Sequence, residues 1–257
     1  MHLADATAIV TGAARGLGLA FAQRILAAGG RVLLTDIDAA ELAATGKSLH
    51  AEHPDRVHVQ AQDVTEMDSF DAAFDTAARV FHPHHVNLLV NNAGMMLPLR
   101  QFFDKPGDTT WAKVIQVNLV SSMRGTQVAL HRLASSKDRP AVVVNVSSMA
   151  GITPTPHVPE YSISKQGTVL LTNLLGKFSK RTNVRIVALC PSFADTDMGL
   201  LGSQGDKRAL EMVGGMMTPA YVADAFVQCV TDTNNSGQAL MVTPRLVAYA
   251  TNGASKL

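Results

Sequence analysis

The chain has 257 residues, 47% of them hydrophobic, enough to bury a large core but short of two full domains. Charge is nearly balanced, with 22 Lys+Arg against 21 Asp+Glu and a formal +1, and no basic stripe with interleaved aromatics marks a nucleic-acid partner. No apolar stretch reaches the length of a membrane span, and two cysteines, Cys190 and Cys229, make no disulfide framework.

The N-terminus, Met1-His2-Leu3-Ala4-Asp5, enters a strand-like run directly, without the basic and apolar regions of a signal peptide; a cytoplasmic protein is the expectation. Strand candidates follow at Ala6–Val10, Arg31–Thr35, Val57–Ala61, Val86–Val90, Ala141–Val146, Val184–Leu189 and Ala239–Val242. Between them, segments of helical period lie near Gly18–Ala28, Ala39–His50, Met67–Phe81, Thr110–Ser135, Tyr161–Lys180 and Pro219–Thr231. Val- and Ile-rich strands without clean alternation indicate a sheet buried on both faces. Alternating strands and helices then predict right-handed crossovers and one α/β, Rossmann-type doubly wound domain over residues 1–257. There is no internal repeat and no linker.

The first strand runs into Thr11-Gly12-Ala13-Ala14-Arg15-Gly16-Leu17-Gly18. Glycines there permit a tight turn and let backbone N–H groups approach a pyrophosphate at a helix N-terminus. The second strand ends at Thr35-Asp36, where a carboxylate accepts bonds from adenosine ribose hydroxyls and repels a 2′-phosphate. Asp63-Val64 after the third strand places a carboxylate where it can meet an adenine amino group. Asn91-Asn92-Ala93-Gly94 after the fourth can bracket the cofactor; either set can equally be a self-bonded structural turn.

Tyr161 and Lys165 stand four residues apart in a helical segment, hence on one face. A cation beside a phenol favours the phenolate and lowers the tyrosine pKa towards a range useful for proton transfer. Thirteen residues upstream, the strand-like run Val144-Asn145-Val146-Ser147-Ser148 ends in a hydroxyl that can hold a substrate oxygen against that phenol.

Taken together these residues resemble the single-domain form of the short-chain dehydrogenase/reductase family, most specifically from Thr7 to Thr196. The family's Thr-Gly-x-x-x-Gly-x-Gly falls on Thr11 to Gly18, its Asn-Asn-Ala-Gly on Asn91 to Gly94, and its catalytic set on Asn118, Ser148, Tyr161 and Lys165. The resemblance implies a seven-stranded parallel sheet of order 3-2-1-4-5-6-7 with helices on both faces. It further implies a nicotinamide cofactor, here NAD, across the strand ends, held by Gly12, Arg15, Gly16, Leu17, Gly18, Asp36, Asp63, Val64, Asn91, Ala93, Gly94, Tyr161, Lys165, Pro191 and Thr196. Tyr161 would exchange a proton with the substrate hydroxyl, Lys165 would hold the nicotinamide ribose, Ser148 would bind the substrate oxygen, and Asn118 would help position a relay water. An alternative for Asn118 is a backbone bond within its own helix.

The chain departs from the pattern in Cys190-Pro191-Ser192, where the family usually has Pro-Gly, and Arg15 is a basic residue of a kind that often accompanies NADP. Cys-Pro-Ser-Phe-Ala-Asp-Thr and the ending Gly237 to Val242 are similar to the hydroxyprostaglandin-dehydrogenase branch. The expected activity is hydride transfer between NAD(H) and a secondary alcohol or ketone, an apolar small molecule, by a homodimer or homotetramer. A non-catalytic NAD-binding regulator is the alternative. The extended, epimerase-type form of the family carries an extra substrate domain for which this chain is too short. A methionine-bearing substrate lid is expected near residues 195–218. The cluster Phe81-His82-Pro83-His84-His85 lacks a second ligand set at matching spacing, so no metal is expected.

Overall fold

The computed structural model describes residues 1–133, 139–203, 210–211 and 213–250. The sheet has eight strands in the order β3-β2-β1-β4-β5-β6-β7-β8. These are β1 Thr7–Thr11, β2 Arg31–Asp36, β3 Val57–Ala61, β4 Leu88–Asn91, β5 Ala141–Val146, β6 Val184–Pro191, β7 Ala239–Thr243 and β8 Leu246–Tyr249. The first seven pair in parallel in the expected order; β8 is an addition, antiparallel to β7. It was not foreseen because it is four half-exposed residues that return through Pro244-Arg245. Thr243 fixes that turn, its hydroxyl accepting from the N–H of Leu246 at 3.0 Å.

The helices are α1 Gly16–Ala27, α2 Ala39–Glu52, α3 Ser69–Val80, α4 Gln101–Asp104, α5 Trp111–Ile115, α6 Ser121–Leu133, α7 Pro159–Leu175, α8 Ser179–Thr182, α9 Asp197–Ser203 and α10 Pro219–Thr231. Strand alternation divides the core in two. Ala8, Val10, Val32, Leu34, Val142, Val144, Val187 and Leu189 face one side, where Phe21 of α1 stacks on Phe226 of α10 at 4.7 Å. Ile9, Leu33, Leu89, Val143 and Ile186 face the other, against Phe70 and Phe74 of α3 and Val128 and Leu133 of α6.

Two expected helices differ. The segment expected as one helix over Thr110–Ser135 is α5, a π-helical turn Gln116–Val120, and α6; residues 134–135 lie outside the described residues. The segment expected over Tyr161–Lys180 begins earlier, because Pro159 suits a first helical turn, and stops at Gly176. There the chain presses on the turn before β7, and a Cβ would meet the Gly237 nitrogen at 2.2 Å, which only glycine allows. Of the expected lid, α9 and Met217 are described: Ala194 pairs with Met217 as an isolated bridge, and Met217 packs into the core. Residues 204–209 and Met212 lie outside the described residues. Among the described residues no helix is long and apolar enough to cross a membrane.

Candidate active site

The chain order reverses between β1 and β4, which opens a crevice at the carboxyl ends of the strands. A cavity of about 1530 Å³ occupies it. Its floor is the turn after β1. Gly12 has φ +64°, and a Cβ there would lie 2.8 Å from the Ala93 Cα. Gly18 does not line the cavity; it lets α1 close on the turn, since a Cβ would sit 2.2 Å from the Gly12 oxygen. The Thr11 hydroxyl accepts from the N–H groups of Asn92 and Ala93, both at 3.0 Å. Asn92 Nδ2 returns bonds to the carbonyls of Thr11 (2.8 Å) and Gly12 (2.9 Å). The turn after β4 thus braces the turn after β1. Arg15 caps α1 with no side-chain bond to its first turn, leaving those donors and the positive end of the helix to the cavity beside Gly16 and Leu17.

The two asparagines separate because successive residues of a strand face opposite ways. Asn91 was expected at the cofactor. Its side chain instead enters the core, donating to Asn145 Oδ1 at 2.8 Å, and does not line the cavity. Asn92, named with that turn but not among the cofactor-holding residues the resemblance implies, lines it.

At one end of the cavity Asp36 closes β2. Its Oδ2 accepts from the Ala14 N–H (3.0 Å) and its Oδ1 from the Asp38 N–H (3.1 Å). A carboxylate has about four acceptor sites, so capacity remains for two ribose hydroxyls. Asp63 and Val64 line the same end. Asp63 Oδ1 accepts from the N–H (2.9 Å) and the hydroxyl (2.7 Å) of Thr65, bonds that hold its carboxyl below the usual range. Arg15 pairs with Asp38 (3.5 Å) and Asp197 (3.4 Å) rather than Asp36, through exposed contacts worth little energetically.

At the other end stand Ser148, Tyr161 and Lys165. Ser148 follows β5 and caps a short 3-10 turn, its Oγ accepting from the Ala150 N–H at 3.1 Å. Tyr161 and Lys165 lie one turn apart on the buried face of α7. Lys165 Nζ donates to the Val146 carbonyl at 2.9 Å. The expected lowering of the Tyr161 pKa is not what this environment produces. Burial pushes the phenol up, and the hydrogen bond from the Ser148 hydroxyl offsets part of that rise. Burial also lowers Lys165 from the ordinary 10.5 to about 8, so it is still mostly a cation at neutral pH but holds its proton less firmly.

Asn118 sits in the π turn, a distortion common at functional sites. Its Nδ2 donates to the Met95 carbonyl (2.9 Å) and Ser164 Oγ (3.1 Å), and its Oδ1 accepts from the Met95 N–H (2.8 Å). These are not bonds within its own helix: the amide is committed to the loop after β4. A Cβ on Gly94 would lie 3.3 Å from Asn118 Oδ1 and 3.5 Å from Lys165 Nζ, so glycine permits that close packing. Pro191, Ser192 and Thr196 line the cavity, Thr196 Oγ1 accepting from the Gly199 N–H (3.2 Å) at the start of α9. Ser192 keeps ordinary backbone, bonded to the Val242 carbonyl at 2.8 Å. Its hydroxyl is buried without a partner among the described residues. Met95, Met96, Leu99, Val158, Phe193 and Met198 make the adjoining wall apolar.

A turn that Cβ atoms would fill, free helix-end donors, a strand-end carboxylate and a phenol–ammonium pair together fit a nicotinamide dinucleotide. Cys190 and Cys229 are buried; burial pushes the Cys190 thiol up to about 12 and the Cys229 thiol up as well. No group of three His, Cys, Asp or Glu among the described residues is placed to hold a metal.

The sequence pattern of the short chain dehydrogenase family matches residues 6–204. The chain is 32% identical over 211 residues to 3beta-hydroxysteroid dehydrogenase 2 of Eggerthella lenta, covering 81% of this chain and 78% of that protein. It is 28% identical over 259 residues to 15-hydroxyprostaglandin dehydrogenase [NAD(+)] of Homo sapiens, covering 95% and 92%. It is also 28% identical over 208 residues to the 3-oxoacyl-[acyl-carrier-protein] reductase FabG of Aquifex aeolicus, covering 81% and 82%.

Proposed function

The chain belongs to the short-chain dehydrogenase family and is a nicotinamide-dependent oxidoreductase acting on CH–OH groups; from that premise we propose that it interconverts a bulky apolar secondary alcohol and its ketone with NAD(H). The observation that carries this reading is the group formed at one end of the cavity by Ser148 and the buried pair Tyr161 and Lys165.

The nicotinamide, when bound, supplies the hydride donor or acceptor. The remaining tasks fall to the chain. Ser148 Oγ and the Tyr161 hydroxyl hold the substrate oxygen between them. In reduction the phenol, neutral because it is buried, donates its proton to that oxygen as negative charge develops there. In oxidation the same oxygen surrenders its proton to the phenolate. Lys165, anchored on the Val146 carbonyl, presents a cation to ribose hydroxyls and stabilises that phenolate. Asn118 holds the Met95 segment that walls the site through its amide, and from that place it helps position the relay water.

Support for an apolar substrate comes from Met95, Met96, Leu99, Val158, Phe193 and Met198, and from relatives named for a hydroxysteroid and a hydroxyprostaglandin. In this reading α9 and the segment to Met217 form the substrate lid. Support for NAD over NADP comes from Asp36, and for a reduced, cytoplasmic setting from two buried, unpaired cysteines. The alternative of a non-catalytic regulator draws nothing from a site in which the hydroxyl pair and the lysine are assembled.

The test is Tyr161→Phe. It should bind NADH nearly as the unmodified protein does yet lose roughly 10²-fold or more in kcat, the scale of general acid–base catalysis. Near-full turnover by the variant would overturn the assignment.

A further inference from the structure

Ser164 stands on the buried face of α7 between Tyr161 and Lys165, wholly enclosed and outside the cavity lining. Serine inside a helix is a weaker helix former than alanine, because its hydroxyl competes for backbone groups. Here the hydroxyl has two partners on two different elements. It donates its one proton to the Tyr161 carbonyl at 2.7 Å, and so accepts from Asn118 Nδ2 at 3.1 Å.

Asn118, in the π turn, is 1% exposed. Its amide grips the backbone of Met95 at both groups, Nδ2 on the carbonyl (2.9 Å) and Oδ1 on the N–H (2.8 Å). Ser164 takes the second Nδ2 proton, so neither amide proton is left unmatched. The Asn118 main-chain carbonyl accepts from Ser122 Oγ at 2.8 Å and from Thr168 Oγ1 at 3.4 Å. Without the Ser164 hydroxyl, a buried N–H of Asn118 loses its acceptor. Such a group regains a partner only by turning or shifting, and either movement loosens the grip on Met95.

We propose that Ser164 is a positioning residue. Through the Asn118 amide it holds the apolar Met95 wall at a fixed distance from the α7 turn that carries Tyr161 and Lys165. It touches neither substrate nor cofactor in this role. The proposal rests on the reading of that end of the cavity as the reaction site.

The experiment is amide hydrogen exchange by NMR on the whole protein carrying isotope-labelled methionine, which reports the Met95 N–H directly. Ser164→Ala should speed Met95 exchange ~10-fold, the scale of one buried hydrogen bond. In Asn118→Leu that exchange should already be fast, and adding Ser164→Ala should change it less than about twofold. Thr172→Val removes a hydroxyl from the same buried face two turns on, where it accepts from Asn145, and should leave Met95 unchanged. With NADH and a 3-ketosteroid as the bulky apolar ketone, Ser164→Ala should lose ~10-fold in kcat, while the Kd for NADH stays within about twofold. Unchanged Met95 exchange or unchanged kcat in Ser164→Ala overturns the proposal. Equal acceleration by Thr172→Val overturns it too, since the effect is then a general loosening of α7. If the unmodified protein binds NADH but leaves the ketosteroid untouched, the substrate reading falls and the Met95 exchange alone decides Ser164. Failure to bind NADH overturns the cofactor reading, and the positioning role with it.

Discussion

The Lys165 ammonium lies 5.7 Å from the centre of the Tyr161 ring, and burial has moved both groups away from their charged forms. For Lys165 the folded pKa is about 8 against an ordinary 10.5. Below about 8 both folded and unfolded chains hold the proton, and the fold carries the full cost of a buried cation. Between the two values the unfolded chain binds more protons, so stability rises with pH across that window.

Replacing this lysine isolates the effect. Lys165→Met removes the cation and keeps the length, so near neutral pH the variant should be the more stable relative to its value at about pH 10. Its advantage should shrink by on the order of 2 kcal/mol between those conditions, read as the difference in urea midpoints. Loss of the bond to the Val146 carbonyl adds only a constant offset. A stability difference that does not change with pH would show that Lys165 titrates as if exposed.

Assembly is open to a direct test. Ile163, Leu170 and Leu174 are at least half exposed and follow one another at helical spacing on α7, with Met123 exposed on α6. An apolar stripe of this kind marks an interaction face, and a closed two-fold arrangement is the commonest solution. Sedimentation at micromolar concentration should give a dimer or tetramer, and Leu170→Lys with Leu174→Lys should yield a folded species of 27.3 kDa. A monomer in the unmodified protein would contradict the expectation.

The readable parts of this molecule were those whose chemistry is local in the chain. Gly12 and Gly16 announce a turn because the turn itself requires positive φ, and Tyr161 and Lys165 announce a shared face because helical spacing alone brings them together. What escaped depends on partners distant in sequence. Asn91 and Asn92 are neighbours of one type, yet β4 points one at Asn145 and the other at Gly12. Asn118 reads as a helical residue until the π turn brings it to Met95. Arg15 reads as a basic residue of a kind that often accompanies NADP, but Asp38 and Asp197, one of them far along the chain, already reach it. The phenol pKa followed burial, which a four-residue spacing does not encode.

Ser192 gives a stability prediction. Its Oγ is buried and unpartnered among the described residues while its backbone sits without left-handed strain. Ser192→Ala removes the orphan hydroxyl and should stabilise the free protein by about 1 kcal/mol in urea unfolding. Ser192→Gly should forfeit that gain through the added freedom of the unfolded chain. Destabilisation by the alanine change would mean that the hydroxyl has a partner in solution.

The last prediction concerns the choice between NAD and NADP, where Asp36 and Arg15 pull in opposite directions. Asp36 is fixed by the N–H groups of Ala14 and Asp38, so it cannot swing away from a 2′-phosphate. Like charges a few ångströms apart cost on the order of several kcal/mol at intermediate effective dielectric. Arg15 supplies one cation nearby, but Asp38 and Asp197 already share it. A 2′-phosphate therefore meets Asp36 and Asp38 with a single, partly neutralised guanidinium between them, and the ribose bonds to Asp36 are lost besides. NAD should be favoured by at least ~30-fold in kcat/KM, about 2 kcal/mol. Asp36→Asn, which keeps an acceptor for one backbone N–H and removes the charge, should relax the preference by most of that factor. Asp36→Ala should relax it too while weakening NAD, because the Ala14 N–H then loses its acceptor. Arg15→Ala should leave NAD the better cofactor. Comparable kcat/KM for the two cofactors in the unmodified protein would mean that the Arg15 cation outweighs both carboxylates.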